Sequence, residues 1–218
     1  MSIILEHITI TIKKTKILQD VTLQFSEGQI YGIVGKNGSG KTMLLKIISG
    51  LVKPTSGQVQ NDYENIGILI ENAEMYPYFT GYENLEYLAS IKGKITGEQI
   101  VQTMTKLGLN AEDGKKVCEY SLGMKQKLAL SQALMEDPDV LLLDEPTNAL
   151  DAGSVKSAHD MIKKAASQGK IVAVTSHSPY DIEYLCDWLI FMEEGKVVRM
   201  EKNSKRKRVD AYATEDLQ

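Results

Sequence analysis

Residues Gly35-Lys36-Asn37-Gly38-Ser39-Gly40-Lys41-Thr42 constrain this chain more than any other stretch, because they satisfy the pattern G-x-x-x-x-G-K-[ST] in full. That pattern needs a buried strand before it and a helix after it. Ile30-Tyr31-Gly32-Ile33-Val34 is an apolar run of strand length, and Met43-Leu44-Leu45-Lys46-Ile47-Ile48 reads as a helix. In such a context the glycines let backbone N–H groups turn inward on phosphate oxygens, and the new helix's N-terminus adds partial positive charge. Gly35 through Thr42 are therefore candidate phosphate ligands. Lys41 is suited to neutralise terminal phosphate oxygens and so to assist catalysis, and Thr42 offers a hydroxyl to Mg²⁺.

Composition narrows the remaining classes. With 218 residues and 43% hydrophobic side chains the chain can build a full core. The 25 Lys and Arg residues against 29 Asp and Glu give a formal charge of −4, which argues against a nucleic-acid partner. The two cysteines, Cys118 and Cys186, have no metal-ligand spacing, so a reducing compartment fits and each is expected to act as a small buried hydrophobe. No segment reaches the roughly 18 apolar residues of a membrane span, and the first residues lack a targeting pattern. The expectation is a soluble, unexported chain that another protein brings to any membrane it serves.

Ile8, Ile10 and Ile12 alternate with threonines, and Val21, Leu23 and Phe25 with polar residues, predicting two half-buried antiparallel strands. Gly57 to Gln60 suggests a short edge strand and Ile66 to Ile70 a buried one. From Gly81 to Asp137 the apolar spacing becomes helical, and strands return at Val140 to Leu143, Ile171 to Val174 and Leu189 to Met192, with helices between them. Continuous apolar strands alternating with helices imply a mostly parallel sheet covered on both faces. The expected organisation is α/β: one domain with an α/β core in residues 1–70 and 138–202, an N-terminal antiparallel β part, a helical subdomain inserted at 71–137, and a polar tail at 203–218. Within the tail, Lys205-Arg206-Lys207-Arg208 reads as a solvated end, with contact to anionic lipid as the sharper alternative.

Val140-Leu141-Leu142-Leu143-Asp144-Glu145 ends a buried strand in two carboxylates, at the sheet edge where open α/β folds place ligands. Asp144 can hold Mg²⁺, and Glu145 can orient or deprotonate an attacking water. Alone, such a pair is as readily two solvated acids; the upstream phosphate loop favours chemistry.

Three further pieces complete an order: Tyr120-Ser121-Leu122-Gly123-Met124-Lys125-Gln126 before a helix, Ala149-Leu150-Asp151 after the acids, and His177 after a strand. This order resembles the nucleotide-binding subunits of ABC transporters over nearly the whole chain. The resemblance implies a P-loop NTPase fold and an ATPase that uses ATP and Mg²⁺. It also implies a homodimer with ATP at the interface and an integral membrane permease as partner, on the inner face of the cell membrane. It assigns Ser121 and Gly123 to a segment that contacts the terminal phosphate held by a second subunit, Asp151 to the interface, and His177 to the γ-phosphate and attacking water. Ser121 and Asp151 are equally natural helix N-caps, and His7 and His159 are expected to be ordinary.

Departures from the family pattern are specific. Glu71 stands where a glutamine is usual, facing the magnesium; with Tyr82-Glu83-Asn84-Leu85 and the Ser-Leu-Gly-Met signature it resembles the subgroup exporting bacitracin, lantibiotics and similar peptides. Ile12 stands where an aromatic usually stacks on adenine, and Leu122 and Met124 replace a glycine and a glutamine. A regulatory module that binds nucleotide with little hydrolysis is the alternative reading.

Overall fold

The computed structural model describes residues 1–71 and 74–204. Strands β1 (Ser2–Ile12) and β2 (Thr15–Ser26) form a hairpin closed by Lys13 and Lys14, whose φ angles of 47° and 70° are both positive. This two-residue geometry matches the twist of a hairpin but usually carries Asn-Gly or Asp-Gly, so two lysines gave no signal.

The alternation expected along β1 holds only in part. Ile3 and Leu5 are buried, then Ile8 and Ile10, a step of three between Leu5 and Ile8. His7, at φ 53°, takes up the extra residue; opposite it Asp20, at φ 55°, does the same between Leu18 and Val21. The paired bulges keep all these apolar residues on one face, and His7 Nδ1 lies 2.8 Å from Asp20 Oδ1 across them. Ile12 leaves the core: it is 44% exposed.

Strand β4 (Ser56–Gln60) pairs with the free side of β1, giving the antiparallel order β2-β1-β4. The second sheet runs β5-β6-β7-β3-β8-β9, from β3 (Ile30–Val34), β5 (Ile66–Leu69), β6 (Val140–Asp144), β7 (Ile171–Thr175), β8 (Trp188–Glu193) and β9 (Lys196–Lys202). All its pairs are parallel except β8 with the edge strand β9. The helices are α1 (Lys41–Ile48), α2 (Gly81–Lys92), α3 (Gly97–Lys106), α4 (Leu122–Met135), α5 (Ala152–Ser167) and α6 (Pro179–Leu185).

The parallel strands show no sequence alternation because both their faces are covered. Leu142, Ala173 and Ile190 meet α1 and the inner face of the antiparallel sheet, including Phe25 and Leu44. Leu141, Leu143, Val172 and Val174 meet α4, α5 and α6 through Leu130, Ile162 and Leu185. A third cluster lies within the inserted helices, around Leu85, Ile100, Met104 and Leu128. Helices α2 and α3 each begin with a capping box, Thr80 with Glu83 and Thr96 with Gln99, which fixes where helical spacing starts. Helix α4 serves two cores, giving Leu128 to the insert and Leu130 to the sheet, so it couples them mechanically.

Cys186 is buried against Gly32, where an added Cβ would lie 2.6 Å from its Sγ. Cys118 is exposed, contrary to expectation: in the short 3-10 turn Val117–Glu119 it is Val117 that turns inward. No helix among the described residues is long and apolar enough to cross a membrane. The run Lys205 to Arg208 lies outside the described residues.

Candidate functional site

The phosphate loop leaves β3 and enters α1 through Gly40, whose φ of 104° few other residues adopt. A Cβ at Gly35 would sit 2.4 Å from the Met192 carbonyl oxygen and 2.5 Å from Ser39 Oγ, so the loop closes only around glycine there. The Ser39 hydroxyl is buried without a hydrogen-bond partner, and no side chain caps α1. Lys41, 8% exposed, donates from Nζ to the carbonyls of Gly35 at 2.8 Å and Lys36 at 3.1 Å. A buried orphan hydroxyl, an ammonium and an uncapped helix start are groups that a phosphate chain satisfies together.

Beyond the loop, Thr42 Oγ1 donates to Asp144 Oδ2 at 2.7 Å. The other carboxylate oxygen of Asp144 accepts from the Thr175 hydroxyl. No cluster of three or more His, Cys, Asp or Glu able to hold a metal occurs among the described residues. A hydroxyl and a single carboxylate nevertheless fit Mg²⁺, which takes one or two carboxylates plus substrate phosphates. The structure does not join Glu71 to this pair. Its carboxylate lies 2.7 Å from Lys46 Nζ, and its φ is 59°.

Glu145 follows Asp144 with φ 51°, a left-handed backbone that a non-glycine residue holds only when its surroundings impose it. The constraint is visible: its N–H donates to the Thr175 carbonyl at 3.2 Å and the Thr175 hydroxyl at 3.0 Å, and its carbonyl accepts from Gln126 Nε2 at 2.9 Å. Glu145 Oε2 accepts from the His177 N–H at 3.2 Å. Its Oε1 is 3.4 Å from His177 Nε2, buried, and without a hydrogen bond. A carboxylate oxygen so placed beside an imidazole suits the proton of a water.

Thr175 escaped the sequence reading, and Gln126 entered it only as a member of the signature segment, without its contact to the Glu145 loop. Thr175 pairs in register with Asp144 across β6 and β7, so the parallel pairing carries the signal that spacing alone does not. Gln126 is visible only once α4 is known to lie beneath the β6 loop.

The signature segment and the Asp151 loop touch within one chain. Ser121 caps α4, accepting from the Met124 N–H at 3.2 Å, and is exposed. A Cβ at Gly123 would come 2.7 Å from the Ala149 carbonyl oxygen, which explains the glycine. Asp151 caps α5 and lies 3.0 Å from Lys127 Nζ. Its carboxyl is held well below the usual range, first by the Ser154 N–H, then by Lys127 and the Ser154 hydroxyl. A depressed folded pKa stabilises above the unfolded value of about 3.9 and loses that effect as pH falls. Asp151→Ala is therefore expected to lower stability at pH 7, with the difference from the parent chain shrinking below about pH 4. Denaturant titrations across pH measure this; a difference independent of pH would contradict it.

A phosphate loop, an acidic strand end and a carboxylate–imidazole contact on one sheet edge define a P-loop nucleoside-triphosphate hydrolase. Residues 18–148 match the family model described as ABC transporter, and the chain belongs to that family of ATPases. The ABC transporter ATP-binding protein YybJ of Bacillus subtilis (strain 168), described as uncharacterized, is 40% identical over 206 residues, covering 90% of this chain and 94% of that protein. The lantibiotic transport ATP-binding protein SrtF of Streptococcus pyogenes is 33% identical, covering 85% of this chain and 84% of its own. Among solved structures, the dimeric post-hydrolysis state of the ATP-binding cassette MJ0796 bound to ADP and Pi superposes with a TM-score of 0.86 at 27% identity, covering 92% of this chain and 98% of that one.

Proposed function

We propose that this chain is the ATP-hydrolysing subunit of a membrane transporter. Two copies close around two ATP molecules, and that closure drives an integral membrane permease at the inner face of the cell membrane. The observation that carries this is the unbroken set of contacts from Thr42 through Asp144 and Thr175 to Glu145 and His177, which supports reading them as the metal side and the water side of one phosphate. Water attacks the γ-phosphate in line; Lys41 neutralises phosphate charge from the loop, Glu145 takes the proton and His177 orients the water, while Thr42 and Asp144 would hold Mg²⁺, which would supply further neutralisation of the phosphate charge. Ser121 and Gly123 of the second copy complete the site, and Asp151 lies at its interface. Export of a lantibiotic-like peptide is supported by the likeness to SrtF and by Glu71. Glu71 would reach Mg²⁺ only by giving up its contact with Lys46. ATP hydrolysis by the chain purified with its permease, stimulated by the transported peptide, tests the reading; a closed dimer without turnover would favour a binding module.

Ile12 allows a separate check. It is exposed at the tip of a hairpin whose Ile17 carbonyl would lie 3.2 Å from a Cβ at Gly40, so the hairpin abuts the phosphate loop. Ile12→Tyr is expected to supply base stacking worth about 1–3 kcal/mol, tightening ATP binding by about fivefold or more in a calorimetric titration. Unchanged affinity would place the base elsewhere.

A further inference from the structure

His159, set aside in the sequence as ordinary, is 2% exposed and faces a buried carboxylate. Its Nε2 lies 3.0 Å from Asp181 Oδ1, oblique to the line of a straight hydrogen bond. Asp181 Oδ2 accepts from the Thr147 hydroxyl at 2.6 Å and from the Ser176 hydroxyl at 3.1 Å. Thr147 is two residues after Glu145, and Ser176 is the residue before His177. One carboxylate thus holds both loops whose ends meet in the Glu145–His177 contact. The Ser176 hydroxyl also accepts from the Ser178 N–H at 3.0 Å, and Ser178 caps α6 by accepting from the Asp181 N–H at 3.3 Å.

Burial works against a charge on Asp181, but His159, Thr147 and Ser176 outweigh it and hold the carboxyl below its usual range. His159 itself is packed against the Tyr184 ring, 5.3 Å between centroids, with Lys163 Nζ 3.4 Å above that ring on the same helix face. The imidazole therefore has little freedom to leave Asp181. A buried polar network with this many members fixes geometry when complete and releases it when one member is lost.

We infer that Asp181, held in place by His159, is a positioning residue for hydrolysis, binding the Glu145 loop and the His177 loop into one unit so that carboxylate and imidazole keep their separation. Both residues act through the loops they hold, and the inference rests on the catalytic reading proposed for Glu145 and His177. A displacement of about 1 Å at the reacting groups is enough to slow turnover by tenfold or more.

The test compares His159→Met, which removes the donor, with His159→Gln, which keeps one, and adds Asp181→Asn, in the full-length chain. Steady-state hydrolysis, ATP affinity and amide hydrogen exchange at Asn148, His177 and Ser178 are measured for each. His159→Met and Asp181→Asn are expected to lower kcat about tenfold or more with ATP affinity within about twofold. Exchange should accelerate in both loops together, and His159→Gln should recover kcat and exchange to within about threefold of the parent. Parental kcat and exchange in His159→Met, or a loss that His159→Gln shares in full, would overturn the inference. A parent chain without hydrolysis would instead sink the catalytic reading, while exchange in the two loops would still decide whether His159 and Asp181 couple them.

Discussion

Glu145→Gln is expected to stop turnover while leaving ATP bound. The substitution keeps the size of the side chain and its capacity to accept the His177 N–H, so the loop that holds it has no reason to move. What it removes is the buried carboxylate oxygen next to His177 Nε2 that has no hydrogen-bond partner within the protein. An amide cannot take a proton from water, and a positioned general base contributes about 10²–10⁴-fold in rate. Single-turnover assays should show a loss of that size, with ATP affinity near the parental value. Hydrolysis at the parental rate would remove Glu145 from the chemistry.

Lys41→Ala is expected to weaken ATP binding and ATP-dependent dimerisation together. The Nζ is the charged donor inside the loop, and charge-assisted bonds to phosphate contribute about 1.5–3 kcal/mol each. Losing it should weaken ATP binding by tenfold or more. The Ala variant also loses the packed stem, so Lys41→Met, which retains the stem and equally lacks the donor to the Gly35 and Lys36 carbonyls, separates lost packing from loss of the charge. Both variants should melt near the parent's temperature and bind ATP at least about tenfold more weakly in a fluorescence titration. A Lys41→Met chain that still dimerises with ATP would show that the phosphates lie elsewhere.

How much of this was legible in the sequence depended on whether a feature is local. The phosphate-loop pattern is contiguous, its glycines are required by contacts such as Gly35 with Ser39, and the strand before it and helix after it are legible from neighbouring residues. The parallel sheet was legible because strands buried on both faces become continuous apolar runs, as in Val140 to Leu143. The bulges at His7 and Asp20 were not, since both positive φ angles fall on residues whose neighbours keep a plausible alternation. Asp144 and Glu145 were visible as acids at a strand end, whereas the threonine that orients them sits 31 residues from Asp144 and meets it only through strand register. His159 was invisible for a related reason: its meaning lies in Asp181 of α6 and in Thr147 and Ser176, which come from two different connections. Cys118 misled because burial was inferred from residue type, and the turn gave the inward place to Val117.

Under the proposed function, one chain holds only half of a site. The most direct test is the light-scattering mass of the Glu145→Gln chain with Mg²⁺ and saturating ATP, with nucleotide counted in the same peak. Doubling of the single-chain mass on adding ATP, with two ATP per pair, is the expected result; a peak that keeps the mass of one chain while carrying one ATP would contradict it.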